Sequence, residues 1–288
     1  MDNILEVRNL TKKLQDFMIN DVNFNLGKGQ VMGFIGPNGA GKSTTIRLIM
    51  NLIKKDSGEI NIFGLDNVNN EKEIKEKIGF VYDETYCYED LNLIDMKNII
   101  ARFYKHWDDE AFYKYILEFN LPEHKKIKEL SKGMKIKYSL AIALSHKAEL
   151  IIMDEPTSGL DPVFRRELLD IIGSITKDKN KSVFFSTHIT TDLEKIADLI
   201  TFINDGKMVF SNTKEYILKK YKIVKGDNQL INSSLKKELI GVNEDSLSFE
   251  ALTDNIEKIK STFGKDIFIE NASLEDIMFY IVRGYKNV

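Results

Sequence analysis

The sequence is poor in cysteine, in net charge and in long apolar runs. Cys87 is the one cysteine in 288 residues. That excludes an intramolecular disulfide and fits a reducing compartment. Lys and Arg number 41 against 44 Asp and Glu, for a net charge of −3. Such a balance gives no electrostatic footprint for nucleic acid, so no nucleic-acid partner is expected. The apolar runs are short, as in Leu150 to Met153. A membrane-spanning helix needs roughly 20 residues. Residues 1–20 are too polar for a signal peptide. The expectation is a soluble, cytoplasmic chain, with any membrane-spanning part carried by another polypeptide. There is no internal repeat and no low-complexity linker. Histidine is also scarce, at four. His106, His124 and His146 sit in ordinary helical or polar contexts and receive no role.

What is present centres on Gly36-Pro37-Asn38-Gly39-Ala40-Gly41-Lys42-Ser43-Thr44. The apolar run Val31 to Ile35 precedes it, and Thr45 to Ile53 follows with apolar residues at helical spacing. Strand, glycine loop and helix together are the context a phosphate-binding loop requires. The glycines allow a tight turn with N–H groups pointing inward. The helix aims its positive dipole end at the same place. Lys42 can reach β- and γ-phosphates, and the Ser43 hydroxyl can ligate Mg²⁺. The alternative, a chance glycine turn, does not account for the strand and helix on either side. A nucleoside triphosphate site follows.

Ile4 to Leu10 and Phe17 to Leu26 read as strands, with Val22, Phe24 and Leu26 on one face. Glu59 to Gly64 and Ile78 to Tyr82 are further strands, separated by a charged helix over 70–77. Residues 80–119 are rich in aromatics and include Trp107. The periodicity of 94–119 predicts helices. Most of these rings are expected in the core, and the alternative is a groove for a partner helix. Ser131 reads as the N-cap of a long helix through Leu144. Leu150 to Met153 is a buried strand running into Asp154-Glu155. Residues 163–177 are helical, Ser182 to Ser186 a strand and Thr190 to Ala197 a helix. A hairpin turns at Asn204-Asp205-Gly206. Alternating strands and helices over 30–210 predict a mainly parallel sheet covered on both faces. After about Asn212 the chain becomes polar and short-stranded. A helix at 256–263, a strand at 267–269 and a capped helix from Ser273 make a small α+β appendage.

A strand ending in acid beside a phosphate loop places Asp154 to hold Mg²⁺. Glu155 then faces the γ-phosphate, where it can orient or deprotonate water. A solvated strand cap would explain one acid more easily than two followed by Pro156 and Ser158-Gly159-Leu160-Asp161. His188 ends the next apolar strand, and a lone histidine there is more often structural.

The ordered set GPNGAGKST, LSKGM, LIIMDEPTSGLD and STH resembles the ATP-binding cassette family over roughly residues 3–212. The GM form of the signature and the tail Ser273-Leu274-Glu275-Asp276-Ile277 look most like exporter ATPases of the bacitracin and antimicrobial-peptide resistance type. The resemblance implies an α/β P-loop NTPase (RecA-like) fold with antiparallel N-terminal strands. It also implies a helical subdomain at about 84–146 within a cassette of 1–212, and a separate domain at 213–288. It implies an ATPase that binds ATP and Mg²⁺ and drives an integral membrane permease from the inner face of the plasma membrane. Two cassettes, identical or related, sandwich ATP head to tail. Leu130, Ser131, Lys132, Gly133 and Met134 of one chain cover the phosphates held by the other. Ser158, Gly159, Leu160 and Asp161 match the loop at the dimer seam. His188 matches the histidine on the γ-phosphate, which reverses the structural reading of it. Lys132 replaces a common glycine. Asp83 replaces the usual glutamine and is assigned to Mg²⁺ and to coupling with the permease. The usual adenine-stacking aromatic falls near Leu14, and Phe17 is its substitute. The other readings are a soluble cassette acting on ribosomes or DNA, and a regulatory cassette with little turnover.

Overall fold

The computed structural model describes residues 2–81, 88–231, 233–263 and 266–286. The chain divides into two units, Met1–Ser211 and Asn212–Val288. In the first unit, β1 (Asn3–Lys13) lies between β2 (Met18–Gly27) and β4 (Ser57–Ile62), with β5 (Leu65–Asp66) outermost. All these pairings are antiparallel. Leu5, Val7 and Leu10 of β1 meet Val22, Phe24 and Leu26 of β2 in one buried cluster.

The second sheet builds the site. Its strands are β3 (Val31–Ile35), β6 (Ile78–Val81), β7 (Leu150–Asp154), β8 (Ser182–Thr187), β9 (Leu199–Asn204) and β10 (Lys207–Thr213). Their spatial order is β10-β9-β3-β8-β7-β6, and β9 through β6 are parallel. Every residue of β3, β7 and β8 is buried, as a sheet covered on both faces requires. The hairpin joining β9 to β10 turns on Asp205 and Gly206, both left-handed at φ 47 and 68. That is the twist-compatible turn an Asp-Gly pair favours.

Helices α1 (Lys42–Ile49), α2 (Glu71–Glu76), α3 (Leu93–Ile100), α4 (Asp109–Glu118), α5 (Lys132–Ser145), α6 (Pro162–Ile175) and α7 (Thr190–Ile196) complete this unit. Several begin on a side-chain cap. Asn92 accepts from Asp95 N, Asp108 from Ala111 N, Ser131 from Met134 N, and Asp161 from Val163 N and Phe164 N. Each satisfies an amide that has no partner within the helix.

The aromatic-rich stretch departs from expectation. Of its described rings, Phe112 and Phe119 are buried, while Tyr88, Phe103 and Tyr113 are 68%, 75% and 39% exposed. The reason is the length of α3 and α4. Each offers two or three buried positions, and Leu93, Met96 and Ile116 take much of that space. Tyr82, Asp83, Tyr86 and Cys87 lie outside the described residues.

The second unit contains α8 (Lys214–Lys220), β11 (Lys222–Asp227), α9 (Ser233–Lys236), β12 (Ile240–Glu244), β13 (Ser248–Thr253), α10 (Ile256–Phe263), β14 (Ile267–Asn271) and α11 (Leu274–Lys286). Its antiparallel sheet runs β12-β13-β11-β14. Val224, Leu235, Phe249, Ala251, Ile259 and Ile267 form its core. Ser273 and Asp276 bond each other's backbone amides at the start of α11, a reciprocal cap.

His146 follows α5 and is 3% exposed. Its ring stacks on Tyr104 at 3.9 Å between centroids, and its Nδ1 has no hydrogen-bond partner among the described residues. Burial pushes its pKa down from 6.5 to about 4. The folded state therefore holds it neutral, while the unfolded chain protonates it below pH 6.5. Stability is full above pH 6.5 and is lost as pH falls from 6.5 towards 4. At its steepest the loss is about 1.4 kcal/mol per pH unit. His146→Phe keeps a ring on Tyr104 and removes the proton. Urea midpoints measured from pH 7 to pH 4 are expected to fall less for the variant. Parallel curves for the two proteins would remove His146 as the cause.

Candidate nucleotide site

The site forms where β3, β7 and β8 end side by side. In open parallel sheets ligands bind at the carboxyl ends of the strands. The loop after β3 leads into α1, whose N-cap is Gly41 at φ 108 with no side-chain cap. The first amides of α1 therefore face outward for an anion. Gly41 must be glycine on two counts. Its backbone is left-handed, and a Cβ there would lie 2.5 Å from Ile19 and 2.9 Å from Phe17.

Lys42 is 6% exposed. Its Nζ donates to Gly36 O at 2.8 Å and Pro37 O at 3.2 Å, and pairs with Glu155 Oε1 at 3.1 Å. Three partners match the three donors of an ammonium. Glu155 lies immediately after β7 with φ 48, an uncommon angle for a residue with a side chain. Such a conformation costs about 1–3 kcal/mol and persists only when its surroundings impose it. Here Glu155 N donates to Ser186 Oγ at 3.0 Å and to Ser186 O at 3.2 Å. The carboxylate is fixed at its far end too, by Lys42 and by His188, whose Nδ1 lies 2.9 Å from Glu155 Oε2.

Asp154 is 4% exposed, and its Oδ1 accepts from Ser186 Oγ at 2.6 Å. Ser186 is the register partner of Asp154 across β7 and β8. One serine thus positions both acids. Sequence reasoning passed over it, although the triplet Ser186-Thr187-His188 was the available signal.

A cavity of about 320 Å³ opens over these groups. Among the expected residues, Phe17, Asn38, Gly39, Gly41, Lys42, Ser43, Thr44, Glu155, Ser158 and His188 line it. Gly36 and Pro37 sit beneath, on Lys42. Leu14 does not line it. The Phe17 ring reaches the loop and the β9–β10 turn together: a Cβ on Gly206 would lie 3.2 Å from its Cζ. That turn was also missed as part of the site. Gly206 N donates to Ala40 O at 3.0 Å, and Gly206 O accepts from Asn20 N at 2.8 Å. It props the phosphate loop from below.

The remaining candidates lie elsewhere. Leu130, Ser131, Lys132, Gly133 and Met134 do not line the cavity. Leu130 is buried, Ser131 is exposed, and the Ser131 hydroxyl caps α5 at 3.3 Å. Asp161 caps α6 through Val163 N and Phe164 N at 3.1 and 3.0 Å. Gly159 turns the chain before it at φ 69, and Leu160 N donates to Thr157 O. Asp83 lies outside the described residues.

Known proteins are similar to this chain. The model of the ABC transporter family matches residues 19–158. The chain is 32% identical to the bacitracin transport ATP-binding protein BcrA of Bacillus licheniformis, over 99% of both chains. It is 34% identical to the lantibiotic transport ATP-binding protein SrtF of Streptococcus pyogenes, over 74% of this chain and 91% of that one. A solved ATP-binding subunit of an ABC transporter aligns with a TM-score of 0.68 at 28% identity, covering 75% of this chain and 92% of that one. With the site geometry, these similarities show that the chain belongs to the ATP-binding proteins of ABC transporters, a family that hydrolyses ATP.

Proposed function

We propose that the chain powers a separate membrane permease by hydrolysing ATP in a head-to-tail pair of cassettes. One observation carries this reading. The cavity gathers Lys42, Glu155 and His188, while Ser131 is exposed outside it. A second chain, identical or related, is then needed to bring a signature helix end over the phosphates.

The steps follow from the side chains. An incoming γ-phosphate competes with Glu155 for Lys42 Nζ. Released from Lys42, the Glu155 carboxylate takes a proton from water as the water oxygen attacks the γ-phosphorus. The bond to the β-phosphate oxygen breaks, leaving ADP and phosphate. His188 and Lys42 sit where negative charge develops. Ser43 and Asp154 would hold Mg²⁺, since a hydroxyl and a carboxylate are the hard oxygen donors this ion takes, and the ion would neutralise phosphate charge. Phe17 offers a face to the base.

Among the described residues, no helix is long and apolar enough to cross a membrane. A partner would dock from outside, with the chain at the inner face of the plasma membrane. Supporting this, a groove of about 430 Å³ is lined by Glu71, Lys72, Lys75, Glu76, Phe103 and Tyr104, and the Phe103 ring is exposed. It suits an amphipathic segment. Relatives named for bacitracin and lantibiotic transport support export of a peptide, antimicrobial or other amphipathic cargo.

Three measurements test this. Glu155→Gln is expected to bind ATP, to lose about 100-fold or more in turnover, and to form an ATP-dependent dimer by light scattering. Wild-type turnover in the purified variant would remove Glu155 as the base. Lys42→Ala removes a charged hydrogen-bond donor to phosphate, a loss of about 1.5–3 kcal/mol. Calorimetry should then show ATP affinity reduced roughly 10- to 100-fold, and unchanged affinity would move the site elsewhere. Asp83→Ala is expected to leave affinity within about threefold but to alter stimulation of hydrolysis by the permease. Asp83→Gln keeps an acceptor oxygen and should be milder. Equal stimulation in all three proteins would make Asp83 an ordinary surface residue.

A further inference from the structure

Two neighbouring residues of α6 reach in different directions, and neither touches the nucleotide cavity. Phe164 reaches the signature turn. A Cβ built on Gly133 would lie 2.4 to 2.6 Å from three atoms of the Phe164 ring. The backbone at Gly133 therefore rests directly on that ring. Lys137, one turn along α5, holds the ring in place. Its Nζ lies 4.9 Å from the ring centroid and donates to Glu167 Oε1 at 2.7 Å and to Phe119 O at 3.4 Å. Lys137 is 7% exposed, so this cation–π contact is largely desolvated.

Arg165 reaches α7, which begins two residues after His188. Its Nε donates to Asp192 Oδ1 at 2.6 Å and its terminal nitrogen to Thr191 Oγ1 at 2.8 Å. Asp192 is 1% exposed, and its other oxygen has no hydrogen-bond partner among the described residues. A buried carboxylate with one engaged oxygen depends strongly on that guanidinium. The same α6 starts on Asp161, at the end of the loop whose Ser158 lines the cavity.

We propose that α6 is a strut. Through Phe164 and Arg165 it fixes the spacing between the signature turn, which serves a partner's nucleotide, and the His188 turn, which serves the chain's own. Phe164 and Arg165 are positioning residues, and this rests on the proposed function above. The physical basis is that a packed helix transmits displacement instead of absorbing it. A misplacement of about 1 Å at a catalytic surface can cost 100-fold in rate. Neither residue lines the nucleotide cavity, and the Phe164 arm ends on the signature turn, so nucleotide binding to the open chain is independent of Phe164.

The test compares wild type, Phe164→Ala, Phe164→Leu and Arg165→Lys. Nucleotide dissociation constants, kcat and KM are measured, together with hydrogen exchange at the Gly133 and Met134 amides. Phe164→Ala is expected to hold its dissociation constant within about twofold while kcat falls about 10-fold or more. Phe164→Leu refills the space beside Gly133 and should recover to within about threefold. Arg165→Lys can reach Asp192 but cannot span Thr191 as well, and should lie between them. Exchange at Gly133 and Met134 should quicken about 10-fold in Phe164→Ala relative to the rest of α5. Wild-type kcat and exchange in Phe164→Ala overturn the strut. So does a loss of binding that matches the loss of kcat, which would mean general unfolding. If the wild type hydrolyses no ATP, the proposed function fails, and the exchange measurement alone decides the strut.

Discussion

The site depends on one partly buried carboxylate, Glu155, held between the Lys42 ammonium and the His188 ring. Lys42 Nζ is on one of its oxygens and His188 Nδ1 on the other. A lysine 6% exposed is tolerated only when its charge is met. Gly36, Pro37 and Glu155 meet it together. The strained φ of Glu155 is the local consequence. The chain bends left-handed at the end of β7 so that the carboxylate can turn under the phosphate loop. Ser186 holds the bend by accepting from the Glu155 amide. The same serine donates to Asp154, so the two acids are fixed relative to each other by a residue from the next strand.

Sheet order makes this possible. In β9-β3-β8-β7 the parallel strands place the loop after β3, Glu155 after β7 and His188 after β8 along one edge. The β9–β10 turn adds the prop under Ala40. Strands β3, β7 and β8 are buried throughout, with Phe24 of β2 packed on Phe34 and Phe184, and that burial is why their central residues are apolar. Chemistry and fold therefore share a cause: the strands that need no polar residues along their length carry them at their ends.

That cause also explains what was legible beforehand. The glycine loop, the Asp154-Glu155 pair, the capping Ser131 and the Asp205-Gly206 turn are local signals, each written in a few adjacent residues. The strands and most helices followed from period and caps. What stayed hidden was long-range. Ser186 against Asp154, Gly206 against Ala40 and Arg165 against Asp192 join residues far apart in the chain, and no period or spacing encodes them. The aromatics of 80–119 misled for a related reason. Ring content indicates apolar mass without saying whether a core is thick enough to cover it, and α3 and α4 bury too few positions to do so. His146 looked ordinary because its burial comes from Tyr104 and the end of α5, which meet only in the folded chain.

The placement of the signature turn gives the architecture its directionality. Ser131 spends its hydroxyl on Met134 N, so as a cap it satisfies its own helix. The remaining first-turn amides of α5 still point outward with the positive end of the helix. A helix end of this kind attracts phosphate only when one is brought to it, and the chain's own phosphate loop opens elsewhere. Gly133 cannot accept a side chain without striking Phe164, which ties this turn to α6, while Ser131 at its start stays exposed. One surface of the turn is thus fixed from within and the other offered outward. Under the proposed head-to-tail pairing, a rigid turn would lose little freedom on meeting a phosphate, so less of the binding energy would be consumed in ordering it.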